Sequence, residues 1–294
     1  MTLEHARSRP ALDAFTRTAE DAANEVIAAY STSFSTATRL LGRRHRQHVR
    51  NIYALVRVAD EIVDGVAAQA GLSIEEQREV LERFRRDTDE AVARGYSADV
   101  VIHAFARTAR TAGIGADLTG PFFDSMAMDL EATPAPHDGA AHDKYVWGSA
   151  EVVGLMCLRV FLRDANPSPE QLRVLDHGAR QLGAAFQDIN FLRDLADDLE
   201  LGRHYLGERL TDADRDAWVE RIRGQLADAA MAIPLLPRDA RAAVRMASAL
   251  FGRLTDRIAV TPSTQLYVRR IRVPNAVKAA LAARAVTTTA LERQ

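Results

Sequence analysis

The chain has 294 residues, 47% of them hydrophobic and 27% charged, with a formal net charge of −2. Those values fit a soluble globular protein with an ample core and exclude a bulk electrostatic pull toward nucleic acid, so no nucleic-acid partner is expected. A single cysteine, Cys157, excludes a disulfide scaffold, favours a reducing compartment and, inside the apolar run 152–158, reads as a small core residue.

Alanine, leucine, arginine and glutamate dominate and β-branched alternation is scarce, so the chain reads as helical almost throughout. The N-terminal stretch carries His5, Arg7, Arg9 and Asp13 without an apolar core, so no secretory signal is read there. Ser73-Ile74-Glu75-Glu76 is a capping box that opens a helix running to about Arg94, closed by Gly95. Gly113 and Gly115 mark a break, and Pro134, Pro136 and Gly139 a loop before a helix from about Asp143 to Leu162. In Asn166-Pro167-Ser168-Pro169 one helix stops and another starts, with Ser168 as N-cap and Pro169 at the first helical position. That helix ends by Gly202 and Gly207, and Pro234, Pro237, Pro262 and Pro274 divide the remainder into further helices. No long polar linker, internal repeat or stretch of roughly 18 uninterrupted apolar residues interrupts the pattern. One all-α domain over 1–294 is expected, placed in the cytoplasm and compatible with weak peripheral attachment to the inner face of a membrane.

Two acidic clusters stand out from this background, 53–64 and 187–198. At about 100° per residue, Tyr53, Arg57, Asp60 and Asp64 share one narrow stripe, and Gln187, Asn190, Asp194 and Asp198 share another. Aspartates four apart repel each other, and the first pair sits in a helix whose remaining surface is apolar: Ile52, Leu55, Val56, Ala59, Ile62, Val63. A lone Asp-x-x-x-Asp is more often a solvated helix face, but two such pairs, each beside polar ligand-type residues, call for a cation between them. Mg²⁺ suits this set best, with Mn²⁺ as a substitute, because it takes one or two carboxylates and completes its shell with water and phosphate oxygens. The basic residues are nearly all arginine, Lys144 and Lys278 excepted, and arginine grips phosphate with paired hydrogen bonds.

In sequence order, several stretches resemble the squalene/phytoene synthases, which condense two isoprenyl diphosphates head to head. Ser31-Thr32-Ser33-Phe34 resembles the family's Ser-x-Ser-Phe segment, and 53–64 its first aspartate-rich motif. The run 145–154, from Tyr145 to Gly154, resembles its central Tyr…Gly motif; 187–198 with Gly202-Arg203-His204-Tyr205-Leu206 resembles its second aspartate-rich motif and tail. Arg270-Ile271-Arg272-Val273-Pro274 and Lys278 resemble its basic C-terminal segment, so the likeness covers about 30–285. Ala196-Asp197-Asp198 departs from the more common Glu-Asp, Ala127 stands where arginine is common, and 133–142 lacks an Arg-Tyr pair.

The resemblance implies an isoprenoid-synthase bundle with a central cavity. Asp60, Asp64, Asn190, Asp194 and Asp198 would hold Mg²⁺ against diphosphate; Ser31, Ser33, Arg57, Gln187, Arg193 and Arg270 would bind substrate; Tyr53 and Tyr205 would lie by the reacting carbons. The implied product is phytoene, from two geranylgeranyl diphosphates through a cyclopropyl-carbinyl diphosphate, with no NADPH. A squalene or dehydrosqualene synthase using farnesyl diphosphate is the runner-up. A terpene cyclase ionising one diphosphate, and a non-enzymatic assembly factor, are the other readings; intact aspartates speak against the last.

Each residue also has a plainer role. Arg193 could pair with Asp197, Ser33 could cap a helix, and Tyr53 and Tyr205 could be core residues. His45 and His48 lack a third zinc ligand, and His137 and His142 read as solvated. Gly148 and Gly154 mark either close helix packing or room for a prenyl chain. Thr38, one turn beyond Phe34, is a small residue on a face that the resemblance sets along the cavity, which favours the C20 substrate.

Overall fold

The computed structural model describes residues 10–131, 139–200, 205–206 and 209–292, without the side chains of Ser33 and Glu200. Among the described residues there are helices and no strands. The order is α1 (Pro10–Tyr30), α2 (Thr32–Arg39), α3 (Arg43–Val63), α4 (Val66–Gln69), α5 (Ile74–Arg94), α6 (Val100–Ala112) and α7 (Ala116–Met128). Then come α8 (Gly139–Val146), a π-helical turn (Trp147–Glu151), α9 (Val152–Leu162), α10 (Pro169–Arg193), α11 (Leu195–Glu200) and α12 (Asp212–Ala232). A 3-10 turn (Ile233–Leu235), α13 (Arg238–Ala259), α14 (Ser263–Leu266) and α15 (Asn275–Leu291) complete it.

The helix signals of the sequence appear as hydrogen bonds. Ser73 and Glu76 form the reciprocal capping box of α5, and Gly95 closes that helix in the left-handed region at φ 82°. Ser168 caps α10 in a second box with Gln171, and Pro169 occupies its first turn. Pro237, Pro262 and Pro274 are the N-caps of α13, α14 and α15. Ser31, not Ser33, caps α2, accepting from the Phe34 N–H at 3.1 Å. Gly202 and Gly207 fall outside the described residues.

The apolar helix read from Asp143 begins at Gly139 and runs to Leu162, with its π turn in the middle. By length and composition alone it could cross a membrane, but its apolar side chains have work inside the bundle. Val152, Met156 and Val160 are fully buried. A Cβ on Gly148 would collide with the Pro121 carbonyl and the Ser125 hydroxyl of α7, and one on Gly183 with the Ala150 carbonyl. These glycines let α7 and α10 close on the π turn, so packing explains them. Gly154 likewise meets the Ala179 carbonyl, though it also borders the cavity.

Two apolar clusters carry the stability. One joins α3, α5, α6, α7 and α9 around Phe105, Phe122 and Phe123; the other joins α10, α12 and α13 around Ile189, Ile222 and Ile258. Each such side chain contributes about 1.5–3 kcal/mol on burial. His142 is not solvated as its sequence surroundings suggest. It is buried at 2% exposure, with Nε2 2.8 Å from the fully buried Asp188 of α10. Arg221 and Gln225 of α12 also donate to Asp188, so one carboxylate ties three helices. His137 lies outside the described residues.

Candidate active site

A cavity of about 940 Å³ runs between α2, α3, α9, α10, α12 and α13, at the upper end of the range for small-molecule sites. One end is polar and ringed by Asp60, Asp64, Asp129, Asn190, Asp194 and Asp198; the other is apolar, lined by Leu41, Phe161, Leu175, Ala232, Ile233 and Leu236.

Both aspartate-bearing helices stop at the cavity. Asp64 is the C-cap of α3 and Asp194 the C-cap of α10, with near-identical backbone angles (φ −91°, ψ 16° and φ −103°, ψ 10°). The single helical stripe expected from Gln187 to Asp198 is therefore broken at Asp194, and Asp198 reaches the cavity from α11. A carboxylate at the negative pole of a helix is unfavourable by about 0.3–1 kcal/mol unless a cation sits beside it. Asp129 closes α7 in the same way. Three helix C-termini bearing carboxylates thus converge on one polar end.

Arginines answer part of that charge. Arg193 holds Asp194 through two hydrogen bonds, one at 2.8 Å, rather than pairing with Asp197. Arg270 approaches the same carboxylate at 2.8 Å and Asp197 at 3.7 Å. Burial lowers the Arg270 pKa more than the neighbouring Asp194 raises it. Arg57 pairs with Glu61, one turn on, and lies 4.6 Å from the Tyr30 ring centre. Arg272 and Lys278 add positive charge to the same wall. Ser31 and Gln187 also line the cavity. The helix α2 carries Ser33, whose side chain lies outside the described set.

Asn190 bears a sign of a missing partner. Its Oδ1 is buried beside the aspartates without a hydrogen-bond donor, which is costly unless a ligand meets it. Among the described residues no three carboxylate, imidazole or thiol groups converge into a closed cage. A donor set of separated carboxylates and one amide oxygen suits Mg²⁺, which leaves positions for water and phosphate, better than a cation that needs an all-protein shell.

The aromatic residues sit just below. Tyr145 and Tyr205 both donate to Asp129, at 3.0 and 2.6 Å, and pack with Phe191 at ring separations of 4.8–5.9 Å. Burial, and then the charge of Asp129, push the Tyr145 pKa well above the ordinary phenol value, so it stays a donor. Tyr53 is raised too, chiefly by burial, and lies 5.8 Å from Phe34. Neither Asp129 nor Tyr145 is singled out as a site residue by the sequence. The available signal was an aspartate closing an apolar helix, as at Asp64. Thr38 is buried on the cavity wall, its hydroxyl donating to the Ser35 carbonyl at 3.1 Å.

His45 and His48 lie elsewhere and are engaged separately. His45 meets Asp239, and His48 meets Thr108 with its pKa lowered to about 4, mainly by burial. Cys157 borders the cavity, and burial lifts its thiol to about 12, so it is inert.

An all-helical bundle around an apolar cavity, with carboxylates at one mouth, is the isoprenoid-synthase fold. The chain belongs to the squalene/phytoene synthase family, whose model matches residues 27–217. It is 35% identical over 200 residues to a phytoene synthase from Pseudescherichia vulneris, covering 66% of this chain and 61% of that protein. It is 30% identical over 193 residues to a presqualene diphosphate synthase from Rhodopseudomonas palustris, covering 66% and 64%. The matches thus span less than two thirds of either relative's own length. A crystal structure of a dehydrosqualene synthase in complex with ligand superposes with a TM-score of 0.71 at 19% identity, over 96% of this chain and 100% of that one.

Proposed function

We propose that this protein is a prenyltransferase that joins two prenyl diphosphates head to head. The favoured substrate is geranylgeranyl diphosphate and the product phytoene, as a step in carotenoid formation. The observation that carries the reading is the convergence of Asp64, Asp129 and Asp194, each ending a helix, at the mouth of one apolar cavity. Asp60, Asp64, Asn190, Asp194 and Asp198 would hold Mg²⁺, which when bound neutralises charge developing on the leaving diphosphate.

The chain's own residues do the rest. Arg193 and Arg270 already share Asp194, so each can turn a donor toward a phosphate oxygen while keeping its carboxylate partner. Arg57, held by Glu61, presents a further cation on the first motif's side. The apolar walls keep water from the carbocation left behind. The faces of Tyr53, Phe191, Tyr145 and Tyr205 offer it a negative quadrupole. Asp129 accepts both tyrosine hydroxyl hydrogens, which holds the two rings in place beside Phe191. Cyclopropyl-carbinyl diphosphate forms first; its ionisation, rearrangement and loss of a proton give the linear hydrocarbon without a reductant, so NADPH is not required.

A second reading is favoured by the 30% identical presqualene diphosphate synthase: the reaction could stop at the cyclopropyl-carbinyl stage with farnesyl substrate. Incubation with farnesyl or geranylgeranyl diphosphate and Mg²⁺, followed by mass analysis of diphosphate and hydrocarbon fractions, separates the two. We further propose one domain over the whole chain, in the cytoplasm, working at the inner membrane face.

A further inference from the structure

At the bundle end opposite the aspartates, the cavity is closed by the C-terminus of α12, the 3-10 turn and the start of α10. Its lining there is Leu175, Gly178, Ala232, Ile233 and Leu236. Immediately outside, in the same short segments, apolar side chains face solvent. Met231 is 72% exposed, and Leu172 and Leu235 are also exposed. Leu291, 77% exposed, joins them from the C-terminus of α15, which the Arg238 side chain holds to the start of α13 through the Ala290 carbonyl. A single layer of residues therefore separates the apolar end of the cavity from an exposed apolar surface.

The charges around that surface are arranged against the stability of the fold. The helix α3 opens with Arg43-Arg44-His45-Arg46 and has no acidic residue in its first turn, although this is the positive pole of its dipole. Arg238 is likewise the first residue of α13. The α3 and α13 starts adjoin, since the Gly42 N–H donates to the Asp239 carbonyl at 2.8 Å. The carboxylates nearby are taken up: Asp239 by Arg44 and His45, Asp164 by Arg44 and Arg163, Glu292 by Arg241 and Arg245, and Asp228, one turn before Met231, by His177. Among the described residues Arg43, Arg173 and Arg238 enter no ion pair, while Glu170 adds one exposed negative charge. Exposed aliphatic side chains set among unpaired arginines are the chemistry of an interface with anionic lipid.

We propose that this end of the bundle docks on the surface of an anionic lipid bilayer and sets the closed, apolar end of the cavity against it. The purpose rests on the prenyl-transfer reading, in which a water-insoluble hydrocarbon must reach lipid. Docking itself does not, and it is measured without substrate. The occupant is a bilayer rather than a second copy, because a face rich in unpaired arginine repels itself across a two-fold axis.

The test is flotation of the full chain with vesicles of phosphatidylcholine, with and without phosphatidylglycerol, at low and high salt. The wild-type protein is expected to bind the anionic vesicles at least about tenfold more than the neutral ones, and less as salt rises. Met231→Glu/Leu235→Glu should lower that binding by about tenfold or more. Arg43→Glu/Arg238→Glu should do the same, and it places acids at helix N-termini, where they favour folding. Thermal unfolding should not fall in either variant, and detergent-phase turnover should be unchanged in both. Wild-type protein that stays unbound overturns the proposal, as does wild-type binding by both variants. A concentration-dependent dimer that the Met231→Glu/Leu235→Glu variant abolishes, without vesicle binding by the wild type, assigns the face to a second copy and also overturns it. Vesicle binding by a protein that makes no hydrocarbon would sink the prenyl-transfer reading and leave the docking surface standing.

Discussion

Thr38→Phe is expected to move the substrate preference from the C20 toward the C15 diphosphate. Thr38 is 3% exposed and lines the cavity with Phe34 of α2 and with Leu41 just beyond that helix. Its hydroxyl is satisfied within α2 by the Ser35 carbonyl, so losing it orphans no partner across the cavity. A phenyl ring there fills volume that the last isoprene unit of a longer chain needs. Burying five carbons at about 0.8 kcal/mol each gives a ceiling of about 4 kcal/mol. Partial repacking brings the cost to about 1–3 kcal/mol, a shift of roughly one to two powers of ten. The assay is kcat/KM with farnesyl and geranylgeranyl diphosphate for both proteins, with thermal unfolding as the control for folding. An unchanged C20 preference in a folded variant would refute the role of Thr38. Wild-type protein that turns over the C15 but not the C20 substrate would refute the chain-length reading itself.

Asp60→Asn and Asp194→Asn should each lower turnover on the order of 10² or more at saturating Mg²⁺, with the fold retained, since metal-held charge stabilisation contributes several kcal/mol; near-normal rates in either would remove that residue from the metal site. Tyr205→Phe leaves the Asp129 carboxylate one donor short, and the lost charge-assisted bond is expected to cost about 1.5–3 kcal/mol, read in urea unfolding. Product identity and yield should not change when NADPH is added; a saturated central bond appearing only with NADPH would reassign the product to squalene. Burial disfavours the His142 imidazolium, but the hydrogen bond and charge of Asp188 outweigh it and raise the pKa. The stability it contributes is therefore full below the ordinary histidine value of about 6.5 and is lost as pH rises through the raised folded value. Urea midpoints compared across that window should fall with rising pH in the wild type and flatten in His142→Asn; equal slopes would exclude His142 as the titrating group.

What was legible in the sequence was whatever local chemistry writes into adjacent residues. The boxes at Ser73 and Ser168 and the glycine stop at Gly95 needed no tertiary information, because their partners lie within four residues. The two aspartate stripes were legible because like charges on an apolar helix need a counter-charge. Their exact presentation was not, since stripe arithmetic assumes a continuous helix and cannot register that α3 and α10 end at Asp64 and Asp194. Asp129 was missed because its partners, Tyr145 and Tyr205, are brought to it by packing of α7 against the π turn and by the return of the chain after α11. His142 was misplaced for the same reason: its polar neighbours in sequence suggest solvent, but Asp188 reaches it from another helix. Arg193 faced two acids, and the adjacent Asp194 proved nearer in space than Asp197 because the helix breaks between them.

The most direct test of the account is incubation of the purified full chain with geranylgeranyl diphosphate and Mg²⁺ alone, followed by mass analysis of the extracted hydrocarbon. The account predicts a C40 hydrocarbon with the mass of phytoene, formed without NADPH and abolished by chelation of the metal. Absence of any head-to-head product from either the C20 or the C15 diphosphate, or a cyclised product derived from one substrate molecule, would contradict it.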